Sequence, residues 1–242
     1  MPPIRKGDGT PVAPKGISQI RTGDGRILFD GPAMPDSVEY QFNALEIDAN
    51  DGDALSNWEC EITGDIISAI GSPTYRDSAI NGNPAVEFDG SNDGFLNRDF
   101  DNISATEGHT VFAVVEVDNS DPDANWHGRI DNPSHNLQFD GTWKTVETEG
   151  SSQDGSSDDS VQLVTTRHEE NDVRIRENGS ETGSSTSSIE DYEAVVIGYE
   201  EENDRRYADG YVGLIEVHEG ALSDQEMADR EDDIASMFDI SI

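Results

Sequence analysis

The chain has 242 residues, 33% of them hydrophobic, with 52 acidic side chains against 15 basic ones and a net charge of −37. That sign excludes a nucleic-acid binder, which needs a basic face, and the single cysteine, Cys60, excludes an internal disulfide. Low hydrophobicity with high charge is the signature of a disordered chain, yet periodic apolar segments recur throughout and predict a folded all-β protein with an extreme acidic surface.

Residues 1–36 stand apart from the rest. They hold five basic residues against four acidic ones, a net charge of +1, so the remainder carries −38. Ile4-Arg5-Lys6-Gly7-Asp8-Gly9 is repeated as Ile20-Arg21-Thr22-Gly23-Asp24-Gly25. Asp-Gly between apolar runs is a hairpin signal, so each copy predicts a small β-turn unit. Six prolines keep the segment from packing as a domain of its own. We read it as an assembly arm, with Ile4, Arg5, Ile20, Arg21, Arg26, Ile27, Leu28 and Phe29 as its contact residues. A flexible leader is the alternative, but this is not linker composition.

The globular domain begins near Ser37 and runs to Ile242. Residues 40–45 predict a strand or short helix, and 48–53 a polar turn. Val86 and Phe88 alternate on one face of a strand. Thr110 to Val117 is the strongest strand, with Val111, Ala113 and Val115 on one face and Phe112 and Val114 on the other, so both faces are covered. Leu137 and Phe139 alternate again, and Asp140-Gly141 is a hairpin turn leading to Trp143. Residues 150–160 read as a Gly/Ser/Asp loop. Further strands are predicted over 161–165, 173–176 and 194–198. Short strands with regular turn signals and little helix imply a sandwich. Near the end, Val212, Leu214 and Ile215 read as a buried strand. Ser223 and Glu226 then form a capping box, and Leu222 and Met227 a hydrophobic staple. Met227, Ile234, Met237 and Phe238 recur on one face of a closing helix.

Several constellations bear on chemistry. Glu46, Asp48 and Asp51 approach the carboxylate spacing of retaining glycan hydrolases, which set alternate residues on one strand. The third carboxylate is displaced into a turn, so a non-enzyme is expected. Asp89, Asn92 and Asp93 cluster oxygen ligands of the kind calcium takes; turn chemistry explains the same residues. No cofactor is required. The five histidines show no ligand spacing. Trp126 lies in a polar loop, 121–129, beside Asn125, His127 and Arg129. An aromatic ring among such groups suits a glycan, with the ring on the sugar face and polar groups on hydroxyls. The alternative is a Trp folded back onto the sandwich edge. Trp58 and Trp143 are expected in the core.

Three segments resemble the LamG-like, concanavalin A-like jelly-roll domains of tailed-virus structural proteins. They are Gly213-Leu-Ile215-Glu216-Val217 followed by Leu222-Ser223-Asp-Gln-Glu226, Asn81-Gly-Asn-Pro-Ala-Val-Glu-Phe-Asp89-Gly-Ser-Asn-Asp93, and Val173-Arg-Ile-Arg-Glu-Asn178-Gly179, which lacks the usual aromatic. The resemblance covers roughly residues 37–242. It implies a jelly-roll sandwich with a short C-terminal helix, and its motifs specify fold better than function.

The composition adds a habitat. Acids occur in nearly every loop, and Lys6, Lys15 and Lys144 are the only lysines. This is the pattern of a protein from molar salt, where screening confines charge repulsion to about 3 Å. The expected protein is a virion component of a halophilic archaeal virus or provirus: tail, baseplate, fibre or capsid-surface protein. The arm docks to other virion proteins in a homo-oligomer, and the sandwich faces outward for adhesion to a host glycan or for decoration. A host surface lectin and a glycan hydrolase are the alternatives. No apolar run marks an export signal after Met1-Pro-Pro-Ile-Arg-Lys6, and none reaches membrane-spanning length. Synthesis in the cytoplasm and release within a particle is therefore expected. As salt falls to tens of millimolar, the screening length exceeds about 10 Å and the acidic domain repels itself. Circular dichroism against potassium chloride should show the melting temperature falling; a melting temperature unchanged from molar to low salt would remove the halophilic reading.

Overall fold

A computed structural model of the chain describes residues 19–21, 27–30, 37–99, 107–117, 124–128, 136–139, 143–148, 151–154, 160–186, 195–199 and 206–242. The chain divides into two units, residues 1–38 and 39–242. In the first, β1 (Gln19–Arg21) and β2 (Ile27–Asp30) form an antiparallel hairpin across the second copy of the sequence repeat. The first copy, with Ile4 and Arg5, lies outside the described residues, as does Arg26.

From the boundary onward the elements are β3 (Val38–Asn43), a 3-10 turn (Ala44–Glu46), β4 (Asn57–Glu59), β5 (Ile66–Ile70), β6 (Thr74–Ile80), β7 (Asn83–Asp89), β8 (Gly94–Asn97) and β9 (His109–Val117). They continue with β10 (Ala124–Gly128), β11 (Asn136–Phe139), β12 (Trp143–Thr148), β13 (Ser151–Asp154), β14 (Gln162–Glu169), β15 (Asp172–Glu177), β16 (Ser180–Ser185), β17 (Val195–Ile197), β18 (Asp209–Glu219) and the helix α1 (Asp224–Phe238). One sheet runs β16-β15-β14-β9-β18-β7-β6, with β3 also paired to β18; the other runs β13-β12-β11-β10-β17-β8-β5-β4. This is the predicted all-β sandwich with a C-terminal helix. No helix among the described residues is long and apolar enough to cross a membrane.

Strand β9 explains the layering. Val111, Ala113, Val115 and Val117 face the core between the sheets, where they join Phe42, Trp58, Val86, Phe88, Phe95 and Ile197. Trp58 meets Phe42 and Phe95 edge-on at ring separations of 5.9 and 5.7 Å. Phe112 and Val114 point the other way, into a second cluster with Leu214, Met227, Ile234, Ala235 and Phe238. The helix thus covers the outer face of the first sheet, and β9 is buried on both sides. Gly213 sits in a bulge of β18, between the pairs Val212–Val115 and Leu214–Val114. A Cβ there would come 2.7 Å from the Phe238 ring, so this position must lack a side chain for the helix to seat.

The helix ends are built as predicted at the N-terminus and by a different route at the C-terminus. Ser223 Oγ accepts the Glu226 amide, and Glu226 Oε2 accepts the Ser223 amide. Leu222 and Met227 both enter the outer cluster. At the far end Asp239 is left-handed, and Asn81 Nδ2 donates to the carbonyls of Phe238 and Asp239 at 3.0 and 3.2 Å.

Two ion pairs fix the helix to the sheet, in opposite senses. Glu216 on β18 is fully buried and accepts from Arg230 Nε (2.6 Å), Arg230 Nη2 (2.5 Å), Gln41 Nε2 (2.5 Å) and His218 Nε2 (2.7 Å). The next helix residue, Glu231, is also buried and receives Arg176 of β15 through Nε and Nη2 at 2.9 and 2.8 Å. Burial pushes the Glu216 carboxyl up, but hydrogen bonds from His218 and Arg230 with their charges outweigh it and hold the pKa near 2.

Residues 151–154 correct the expected 150–160 loop, since β13 pairs with β12 at the sheet edge. Ladder bonds to a neighbouring strand override a polar composition that alone reads as loop. Residues 155–159 and the Asp140-Gly141 turn lie outside the described residues.

Removing Arg230 leaves a buried carboxylate without its main partner, so Arg230→Met should cost about 3–5 kcal/mol, read by denaturant unfolding. A cost below about 1 kcal/mol would show the pair to be dispensable. The pH sign follows from the depressed pKa. The contribution of Glu216 is complete above its ordinary value of 4.5 and is lost as pH falls toward about 2. The Glu216→Gln protein should show a shallower loss of stability over that window than the parent.

Candidate functional site

One end of the sandwich gathers the ends of β5, β7, β8 and β17 with the start of β18. The β7–β8 turn is organised by Asp89, whose Oδ1 accepts the amides of Ser91 (2.9 Å) and Asn92 (3.1 Å). Asp93, 5% exposed, accepts the Ser72 amide at 2.7 Å and so ties this turn to the one between β5 and β6. Burial raises the Asp93 carboxyl above its ordinary value, against the Ser72 hydrogen bond that lowers it and with the nearby Asp89 charge.

Next to Asp93, a Cβ on Gly94 would lie 2.4 Å from the ring of Tyr199. The missing side chain lets that ring approach the strand closely. Tyr199 is buried and stacks on Tyr207 with centroids 5.5 Å apart and planes 8° from parallel. Val196, Ile70 and Leu96 pack behind the pair on the side of the second sheet away from the core. The chain returns through Ala208, whose amide donates to Gly198 and whose carbonyl accepts the Gly90 amide. Half-buried Tyr207 is the outer ring of this ledge, with Asp93 and the Asp89 turn beside it.

Strand β10 adjoins the ledge in the second sheet. Its register sets Gly128 opposite Val196 and His127 opposite Ile197. Asn125 pairs with Gln138 and His127 with Leu137, leaving Trp126 at a bulge. The expected 121–129 loop is therefore corrected over 124–128, where pairing on both sides makes a strand. Bulges are places where a strand re-aims its residues. Arg129 lies outside the described residues. The register brings Asn125, Trp126 and His127 to the strand next to the one that leads into Tyr199.

The expected calcium ligands Asp89, Asn92 and Asp93 do come together in one turn. Their geometry is that of a turn, with Asp89 Oδ1 and Asp93 Oδ1 both occupied by backbone amides. Among the described residues no group of three or more His, Cys, Asp or Glu side chains is arranged to hold a metal. Glu46 falls in the 3-10 turn, and Asp48 and Asp51 follow it in an exposed loop. They do not share a strand, as the retaining spacing requires.

Sequence reading missed the tyrosine pair. Tyr199 and Tyr207 flank an acidic stretch between two strands, a signal present in the chain, but their stacking depends on the turn at 89–94, a hundred residues away. Glu216 and Arg230 were missed for the same reason.

No protein-family model matches the chain, and no characterised protein matches it in sequence. Solved structures do. The chain is similar to the binding domain of Paraclostridial Mosquitocidal Protein 1, with a TM-score of 0.61 and 10% identity, over 81% of this chain and 52% of that one. An arabinofuranosidase complexed with arabinofuranosyl-alpha-1,2-xylobiose gives 0.61 and 12%, over 76% and 51%. A structure of botulinum neurotoxin type C, described as entering cells through interaction with two ganglioside molecules, gives 0.57 and 10%, over 81% and 51%. The likeness is one of fold. It supports a jelly-roll β-sandwich, and the chain spans about half the length of these solved chains.

Proposed function

We propose that the chain is a non-catalytic glycan-binding sandwich, carried outward on a virion of a halophilic archaeal virus and docked there through residues 1–36. The observation that carries the glycan reading is the ledge of Tyr199 and Tyr207 beside Asp93 and the Asp89 turn. A sugar presents an apolar face that stacks on an aromatic ring and hydroxyls that pair with carboxylates and amides. Half-buried Tyr207 offers the ring, and exposed Asp89, Ser91 and Asn92 offer the polar groups; Asn125, Trp126 and His127 belong to the neighbouring strand β10. Two of the similar proteins bind or interact with a sugar-containing ligand, arabinofuranosyl-alpha-1,2-xylobiose in one and gangliosides in the other, which agrees with this use of the fold.

The virion part of the reading rests on the resemblance of three sequence segments to motifs of tailed-virus jelly-roll proteins and on the distinct composition of residues 1–36. Peptide mass spectrometry of purified particles tests it directly, and absence of the chain from them would overturn it.

The glycan part is tested by an array in molar salt. Tyr207→Ala should lower affinity for the bound glycan about tenfold, near 1.4 kcal/mol, while the melting temperature stays within a few degrees of the parent. Binding unchanged by Tyr207→Ala, or no binding to any glycan, would remove the ledge as a site. Release of free sugar from a bound glycan would make the protein a hydrolase instead.

A further inference from the structure

We propose that the N-terminal hairpin of one copy docks in a groove beside the edge strand β4 of a second copy. The inference rests on reading residues 1–36 as a docking segment, and it names the receiver.

The hairpin is two strands of three and four residues, with Ile20 opposite Phe29 and Arg21 opposite Ile27. A two-stranded hairpin is at best marginal in water and needs a further strand or an apolar surface. Its sequence interleaves Ile20, Ile27, Leu28 and Phe29 with Arg21 and Arg26. A surface that suits it is apolar and acidic together, and adjoins a sheet edge so that strand addition is available.

The ends of the two sheets are β16, β13, β6 and β4, and β3 pairs with β18 alone, with Glu61 N bonding Gln41 O on its other side. The first two read Ser-Glu-Thr-Gly-Ser-Ser and Ser-Ser-Gln-Asp, with no apolar side chain. The start of strand β6 is already covered by its own chain: Gly52 N donates to Tyr75 O, Tyr75 N to Asp53 O and Leu55 N to Pro73 O; its middle, Arg76-Asp77-Ser78, is polar and carries a basic residue. Beside β4 lies a groove of about 530 Å³ lined by Ile47, Asp48, Asp53, Ala54, Leu55 and Asn57 among others, none of them basic. Ile47 and Leu55 are only partly buried against the core, and Asp48 is exposed. The groove therefore offers apolar contact and carboxylates side by side. Asp53 keeps its charge readily, because the amide and side chain of Asn50 donate to it and lower its pKa.

A second copy fits better than an unrelated partner on charge. Residues 37–242 carry −38 and repel their own kind, and residues 1–36 are the stretch of opposite sign. Among identical chains, that segment is the attraction available to offset the repulsion.

Light scattering of the full chain across concentration, in molar potassium chloride, is the test. The parent should form a concentration-dependent oligomer. Phe29→Asp in the hairpin and Asp48→Lys in the groove should each weaken self-association at least tenfold, with melting temperatures unchanged. Asp48 is exposed, so its variant is not expected to unfold the domain. A full chain that stays monomeric overturns the proposal. So does an oligomer weakened by Phe29→Asp but untouched by Asp48→Lys, which leaves the docking role intact and moves its receiver elsewhere. An oligomer untouched by both removes the docking role as well.

Discussion

The position of the closing helix depends on two adjacent residues of opposite charge. Arg230 reaches down to Glu216 on β18, and Glu231 receives Arg176 from β15. Because the two pairs run in opposite senses, sliding the helix along or around its axis breaks both at once. Burying such pairs is costly, and an apolar pair of equal volume is often as stable. Their value here is registration. The apolar residues Met227, Ile234 and Phe238 would accept several sliding positions; bidentate charge-assisted bonds accept one. In concentrated salt this matters more, since exposed pairs are screened and buried ones much less so.

The strand that receives Arg230 also leads to the ledge. That strand has 11 residues, roughly 35 Å of extended chain. It carries Glu216 and His218 near its end and begins at Asp209, just after Tyr207. The same strand pairs with β9 on one side and β7 on the other, and β7 ends at Asp89. Tyr207 and the Asp89 turn are thus mounted on β18 and β7, which contribute to both hydrophobic clusters, while Tyr199 follows β17 of the second sheet. Loops positioned by a rigid sheet are where binding residues are commonly found.

What could be read from the sequence was local. The alternation of β9, the Ser223–Glu226 box, the Leu222–Met227 staple and the Asp89 turn each depend on residues within a few positions of one another, and each is present. The strand or helix expected over 40–45 is both, since β3 passes directly into a 3-10 turn. What was not legible depends on distant partners. Glu216 reads as one more acid among 52, and only the fold shows that Arg230, His218 and Gln41 meet on it. Polar β10 and β13 are strands because neighbours supply their ladders. Gly213 was visible as part of a motif, but its reason, the Phe238 ring, was not.

The distribution of charge and apolar surface narrows how such a molecule can recognise anything. Among the described residues, Ile66 and Ile242 are the large apolar side chains left exposed, so no broad greasy face is offered there. Arg76, Arg167, Arg174, Arg176 and Arg230 are all spent on internal ion pairs on or against the helix-covered sheet. The carboxylates that remain give the surface one sign, which discourages both self-contact and anionic partners. Recognition is left to places where an aromatic ring or a half-buried aliphatic sits beside a carboxylate. The tyrosine ledge and the groove beside β4 are two such places, and the groove where half-buried Val161 and Ile240 meet Glu116 and Asp239 is another. The ledge and the groove beside β4 share no lining residue, although Leu55 N bonds Pro73 O and Ser72 N bonds Asp93, so the two places are linked through one turn.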